Sequence, residues 1–177
     1  MNNTNTRLRR MVTAALFAAA ITVVTAYFLH IPLPTGGYVH LGDTLIYLVA
    51  SLLPAPYAMF AASVGAGMAD LLTAPMWFLP TFIIKSIVAL QFTCKKSKIL
   101  CTRNIIAACT TAVVSPVLYS VAYCIMAGTW TVATFVAQFW GTIGQALVSG
   151  ILFAGLGYVF DKMELKTRLL GKELSKI

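Results

Sequence analysis

Charge is scarce in this chain, and negative charge is scarcer still. Only 10% of the residues are Asp, Glu, Lys or Arg, where an ordinary soluble domain carries roughly 25%. Five acids stand against thirteen Lys and Arg. Only Asp43 and Asp70 among those acids fall within the apolar part of the sequence, which poorly equips the chain as a proton-coupled pump. Histidine is limited to His30 and His40, both in one connector. None of the four cysteines (Cys94, Cys101, Cys109 and Cys124) sits in a C-x-x-C or Cys/His cluster, so no metal site is expected and reduced thiols are the default. A Walker A string is missing, so the chain is not expected to hydrolyse ATP. Neither G-x-S-x-G nor H-E-x-x-H occurs, and no cofactor is expected.

What the chain has in abundance is apolar sequence. Hydrophobic residues make up 59% of it, in long stretches without the polar faces a soluble fold would need. Twelve of the thirteen basic residues flank these stretches. Arg7, Arg9 and Arg10 precede the first; Lys95, Lys96, Lys98 and Arg103 share a mid-chain connector; Lys162, Lys166, Arg168, Lys172 and Lys176 close the chain. A net charge of +8 could suggest nucleic acid. The placement of the cations beside apolar spans instead follows the positive-inside rule of membrane proteins, and no nucleic-acid partner is expected.

Breakers divide the apolar sequence into six helices, at about 10–29, 41–53, 57–73, 76–92, 104–127 and 131–160, followed by a cytoplasmic basic tail over 161–177. The first run resembles a signal peptide after its arginines, but His30-Ile31-Pro32 and further apolar spans follow, so it reads as a retained helix. Pro54-Ala55-Pro56 and Pro75 mark turns, and Pro116 is expected to kink the fifth helix. The second helix is short for a span of about 20 residues. With six spans, both termini and the 4–5 connector share one side, the cytoplasm, and the three opposite loops carry no Lys or Arg. The expectation is an all-α, six-helix transmembrane bundle forming a single membrane domain, in a bacterial plasma membrane.

The thirteenth cation, Lys85, lies about nine residues into the fourth helix. A lysine at that depth costs a few kcal/mol or more unless paired or hydrated. Two readings stand side by side: an ion pair with Asp70 or Asp43, and a cation facing ligand in an outward cavity. Asp43 is equally placed to act at a helix N-terminus. The connector H-I-P-L-P-T-G-G-Y-V-H-L-G-D, residues 30–43, combines stiffening prolines with Gly36 and Gly37. Its Tyr38 and His40 are placed either in a plain loop or over a pocket. Aromatic residues crowd the same side: Trp77 and Phe78, Tyr119 and Tyr123, Trp130, Phe139 and Trp140. Gln138 and Gln145 share a face of the sixth helix. Aromatic walls, a few amides and one cation suit a small planar nitrogen heterocycle, although interhelical hydrogen bonding explains intramembrane glutamines equally well. In the first helix Ala14 and Ala18, with Ala15 and Ala19, form two A-x-x-x-A spacings that permit close helix approach, within the chain or against another subunit.

Three strings carry a resemblance: G-G-Y-V-H-L-G-D at 36–43, A-S-V-G-A-G-M-A-D-L-L at 62–72 and W-F-L-P-T-F-I-I-K at 77–85. Together with size, span number and the alanine-rich first helix, they make nearly the whole chain resemble the substrate-binding S component of an energy-coupling factor (ECF) vitamin transporter, in its riboflavin-like branch. The resemblance implies a membrane T subunit and two cytoplasmic ATPases as partners. It also implies a ligand site beneath the first outer loop between the outer halves of helices 4 to 6, and delivery inward by toppling of the whole subunit. The alanine face, Ala14, Ala15, Ala18 and Ala19, corresponds to the family's docking surface. Substrate-binding residues are expected among Lys85, Asp70, Asp43, His40, Tyr38, Gly37, Trp77, Tyr123, Trp130, Gln138 and Trp140. A B-vitamin, a vitamin precursor or a modified nucleobase fits these groups, whether pyridoxine-like, hydroxymethylpyrimidine-like or deazapurine-like. A self-sufficient small carrier or channel is the competing function, and a membrane enzyme is a third.

Overall fold

The structure, a computed structural model, describes residues 3–28, 31–32 and 38–170. It is built from helices α1 (Asn3–Tyr27), α2 (Gly42–Leu52), α3 (Ala55–Thr73), α4 (Phe78–Gln91), α5 (Thr102–Ala127), α6 (Val132–Lys162) and α7 (Leu165–Leu170). Two-residue strands β1 (Ile31–Pro32) and β2 (Tyr38–Val39) pair antiparallel, Ile31 with Val39 and Pro32 with Tyr38. The architecture is otherwise all-helical. Asn5–Tyr27, Thr102–Ala127 and Val132–Lys162 are long and apolar enough to cross a membrane, while Gly42–Leu52 and Pro75–Gln91 are shorter apolar helices.

Local chemistry explains where the helices begin and end. Helix α1 starts at Asn3 rather than near residue 10, and the expected end at residue 29 lies outside the described residues. Pro56 lies in the first turn of α3, where its missing donor costs nothing. A 3-10 turn, Pro75–Trp77, leads into α4 in place of the α-helical start expected at 76. Helix α5 runs on through Pro116 as one helix. It ends at Gly128, whose φ of 64° is the left-handed cap that glycine adopts freely. Thr131 accepts the Thr134 N–H at 3.1 Å and so caps α6.

The short helix α2 is the centre of the bundle, touching α1, α3, α4 and α6. Its eleven residues rise about 16 Å, roughly half the hydrocarbon thickness of a bilayer. Every residue from Ile46 to Leu52 is buried, as befits a helix that is apolar all round. Tyr47 stacks on Phe92 at 5.0 Å and meets Phe153 edge-on at 5.9 Å. Helix α1 approaches α3 closely at Gly65, where an added Cβ would lie 2.7 Å from the Ala18 carbonyl oxygen. Thr22 Oγ1 donates to Gly65 O at 2.9 Å across the same contact.

That contact divides the alanine face of α1. Ala14 and Ala18 are buried, whereas Ala15 and Ala19 are exposed. The four residues therefore do not present one outer docking surface: half of them serve packing within the chain, because consecutive helical residues are separated by about 100°.

The end of the bundle that carries the basic connector is tied together by polar side chains. Asp161 accepts the Ile99 and Leu100 N–H groups at 2.7 and 2.9 Å. Asn104 accepts the Thr93 N–H at 2.8 Å and donates to the Thr93 and Ile99 carbonyls. Lys166 on α7, one of the flanking cations, is tied into the bundle. It is buried, and its Nζ donates to the carbonyls of Ser51, Cys94 and Lys96 at 2.9, 2.8 and 2.6 Å. Burial pushes its pKa below the ordinary lysine value.

Candidate substrate-binding site

At the opposite end, the N-terminal parts of α2, α4 and α6 converge beneath β2. Helical spacing decides what they present. Trp77, Thr81 and Lys85 recur every fourth residue, and Gln138, Thr142 and Gln145 recur at four and three, so each set lies along one helix face. Tyr38, His40, Asp70, Tyr119 and the two sets without Lys85 bound a cavity. The enclosed space between them is small, about 30 Å³, and opens through a wider mouth.

The buried polar groups fall into two layers. In the deeper layer Lys85 Nζ pairs with Asp43 Oδ1 at 2.6 Å, both side chains fully buried. Gln145 Nε2 donates to Asp43 Oδ2 at 2.8 Å. The ammonium also lies 5.1 Å from the centroid of the Tyr119 ring, within cation–π range. Gln145 continues to His40, accepting its backbone N–H at 3.3 Å. His40 Nδ1 accepts the Gly42 N–H at 3.0 Å, which requires that nitrogen to be unprotonated.

The layer bounding the cavity holds the second acid. Asp70 Oδ1 accepts the Tyr38 hydroxyl, and Thr81 adjoins the same carboxylate. Tyr119 donates its hydroxyl to Thr81 Oγ1 at 3.0 Å. Burial first, and then the Asp70 carboxylate, push the Tyr38 phenol well above its ordinary pKa, so it stays protonated and donates. Trp77 supplies an aromatic wall, stacked on Tyr123 at 6.1 Å and tilted against Tyr119 at 5.7 Å. Gln138 donates to Thr142 Oγ1 at 3.3 Å.

Several expected site residues take other places. Lys85 and Asp43 sit behind the cavity wall as a pair, so the intramembrane cation meets a carboxylate rather than open space. Tyr123 backs Trp77 without lining the cavity. Trp130 and Trp140 are each 68% exposed and belong to the outer surface. Trp140 follows Gln138 by two residues, about 200° around the helix, and so leaves the face on which the glutamines lie. Gly37 lies outside the described residues. Conversely, Thr81 and Thr142 were not singled out from sequence, although their spacing from Trp77, Lys85, Gln138 and Gln145 carries the signal.

Membrane-length helices around a short central helix, with a small polar and aromatic cavity at one end, define a multi-pass membrane protein. Residues 5–162 match the family described as ECF-type riboflavin transporter, S component. The chain belongs to this family of ECF S components, which serve transmembrane transport and are not enzymes. It is also 33% identical over 148 residues to a protein of Pyrococcus woesei described as "Uncharacterized protein in gap 3'region", a match covering 81% of this chain and 95% of that relative.

Proposed function

We propose that this chain is the substrate-capture subunit of an ECF importer. It spans the plasma membrane six times with both termini inside, and binds a small planar nitrogen heterocycle from the outer side. It then docks on a T subunit carrying two ATPases and delivers its cargo by toppling. The observation that carries this reading is the cavity beneath Tyr38, walled by Trp77 and Tyr119 and lined with buried acid and amides, in a chain of this family. In this reading Asp70, Gln138 and Trp77 meet the ligand, and the Lys85–Asp43 pair holds Gln145 and the start of α2 in place. The docking surface is the part of α1 that remains exposed, around Ala15 and Ala19, beside the groove that Met11, Val12, Tyr57 and Phe60 line between α1 and α3.

Binding is measured on the isolated protein by intrinsic tryptophan fluorescence. Ligand should change the emission in a 1:1 titration, and the change should vanish in Trp77→Phe, because the other tryptophans are exposed. Substrate transport at full rate by the chain alone in liposomes, without partners or ATP, would contradict the proposal.

A further inference from the structure

The turn from β2 into α2 is closed in an unusual way. The first N–H groups of a helix have no acceptor within it, and Leu41, at the N-cap of α2, offers no side-chain bond to them. His40 takes over: its Nδ1 accepts the Gly42 N–H at 3.0 Å. Glycine is needed for this approach, because an added Cβ at Gly42 would lie 3.1 Å from that nitrogen and collide with Thr25 Oγ1 on α1. From α6, Gln145 accepts the His40 backbone N–H through Oε1 at 3.3 Å. Its Nε2 stands 3.3 Å from the ring Nε2 of His40. The Gln145 amide has one workable orientation. Its Nε2 donates to Asp43 Oδ2 at 2.8 Å, and a turned amide would set oxygen against carboxylate oxygen there.

Donors thus face both ring nitrogens of His40. A neutral imidazole has one N–H and one acceptor nitrogen, whereas an imidazolium has N–H groups on both. The neutral ring bonds Gly42 and sets a donor against a donor only at Gln145. The charged ring loses the Gly42 bond and meets a donor on each side. It would also bring charge into a position that is 6% exposed, which is costly. The neighbouring groups do not reverse this. Asp43 on α2 attracts an imidazolium and Lys85 on α4 repels it, and the two are paired with each other. Tyr38 on β2 lies against the ring, centroids 5.4 Å apart, with its phenol protonated. Asp70 on α3 accepts the Tyr38 hydroxyl, and a protonated carboxyl keeps an oxygen that does so. From α1, Thr25 adjoins the turn and carries no charge.

We infer that His40 is a positioning residue that latches β2 onto the bundle while its ring is neutral and releases β2 when the ring takes up a proton. Strand β2 carries Tyr38, which bounds the cavity. One proton on one ring therefore decides whether that wall is held in place, and acid on this side of the membrane loosens the site. The inference adds regulation to the site of the capture reading and rests on that reading for its purpose. Its test uses no ligand, so the latch can fail while capture, tested by titration with ligand, still stands.

The test is amide hydrogen exchange, resolved to single residues, on the full-length protein in nanodiscs between pH about 8 and about 5, the range in which histidine changes charge. Relative to the chemical exchange rate at each pH, exchange of the His40 and Gly42 amides should rise about tenfold on acidification, as expected on losing one hydrogen bond. The amide of Val49, buried in the middle of α2, should not respond. His40→Asn keeps a side-chain acceptor two residues before Gly42 and does not titrate, so its protection should be independent of pH. An equal pH response in His40→Asn assigns the effect to the nearby acids and overturns the inference. So does a wild-type protein that keeps both amides protected in acid. Nitrogen NMR of the wild-type ring tests the same claim without a variant. It should show the Nε2–H tautomer at neutral pH, and an imidazolium that appears together with the loss of protection. An Nδ1–H tautomer, or an imidazolium with protection retained, overturns the inference.

Discussion

At the scale of single residues, two aspartates have been given different tasks by their neighbours. Asp43 is held by Lys85 and Gln145, and Asp70 by Tyr38 and Thr81 at the cavity. Removing one member of a buried pair costs about 3–5 kcal/mol, because the survivor is an uncompensated charge, while replacing both is often neutral. Lys85→Met should therefore lower thermal stability strongly, and the double variant Lys85→Met with Asp43→Leu should recover most of it. Additive losses in a double-mutant cycle of melting temperatures would show that the pair is not coupled. The sequence marks Lys85 as an expensive cation at depth, and Asp43 as one of its two candidate partners. The choice between partners depends on which helix the short α2 lies against, and no local pattern encodes that. Thr81 and Thr142 were legible in principle by helical spacing. Threonine carries no signal of its own in a helix; only neighbours that face a cavity give it one.

Elements show where close approach matters and where it does not. The α1–α3 contact has no room for a side chain at Gly65. Gly65→Val should destabilise by about 1–3 kcal/mol through overpacking, read as a lowered melting temperature. Ala15→Trp with Ala19→Trp falls on the exposed half of the same helix. It should leave folding and ligand binding unchanged while abolishing uptake by the complete transporter; normal uptake would remove α1 from the docking surface. Lys166 joins α7 to the end of α2 and to the basic connector. Lys166→Met leaves three carbonyls without their donor and should cost about 2–3 kcal/mol, with faster proteolysis of the tail as the readout. Helix positions were legible from apolar runs and breakers to within a few residues for most elements, and α2 was recognised as short. The split of the alanine face was not, since Ala14 and Ala15 differ by only one helical step and only the partner helix decides which is covered.

Across the whole molecule the polarity is consistent. The basic connector and α7 gather at one end, and the cavity with Asp70, the glutamines and the aromatic walls lies at the other. The sequence made this division visible through the rarity of charge, which sets the basic connector and the residues of α7 apart from the apolar runs, and the three matching strings agree with the family the chain belongs to. It did not reveal that one of the flanking cations, Lys166, is a buried clamp, or that the intramembrane Lys85 is occupied by Asp43 and leaves Asp70 to face the cavity. The central claim is capture of one small molecule at that cavity by this chain alone. Native mass spectrometry of the protein purified from its own membranes tests it most directly. The account predicts one small-molecule adduct per chain in the wild-type protein, released on mild activation and missing from Asp70→Asn. An adduct of equal occupancy in Asp70→Asn, or a wild-type protein that carries none and takes up no ligand when titrated, would contradict it.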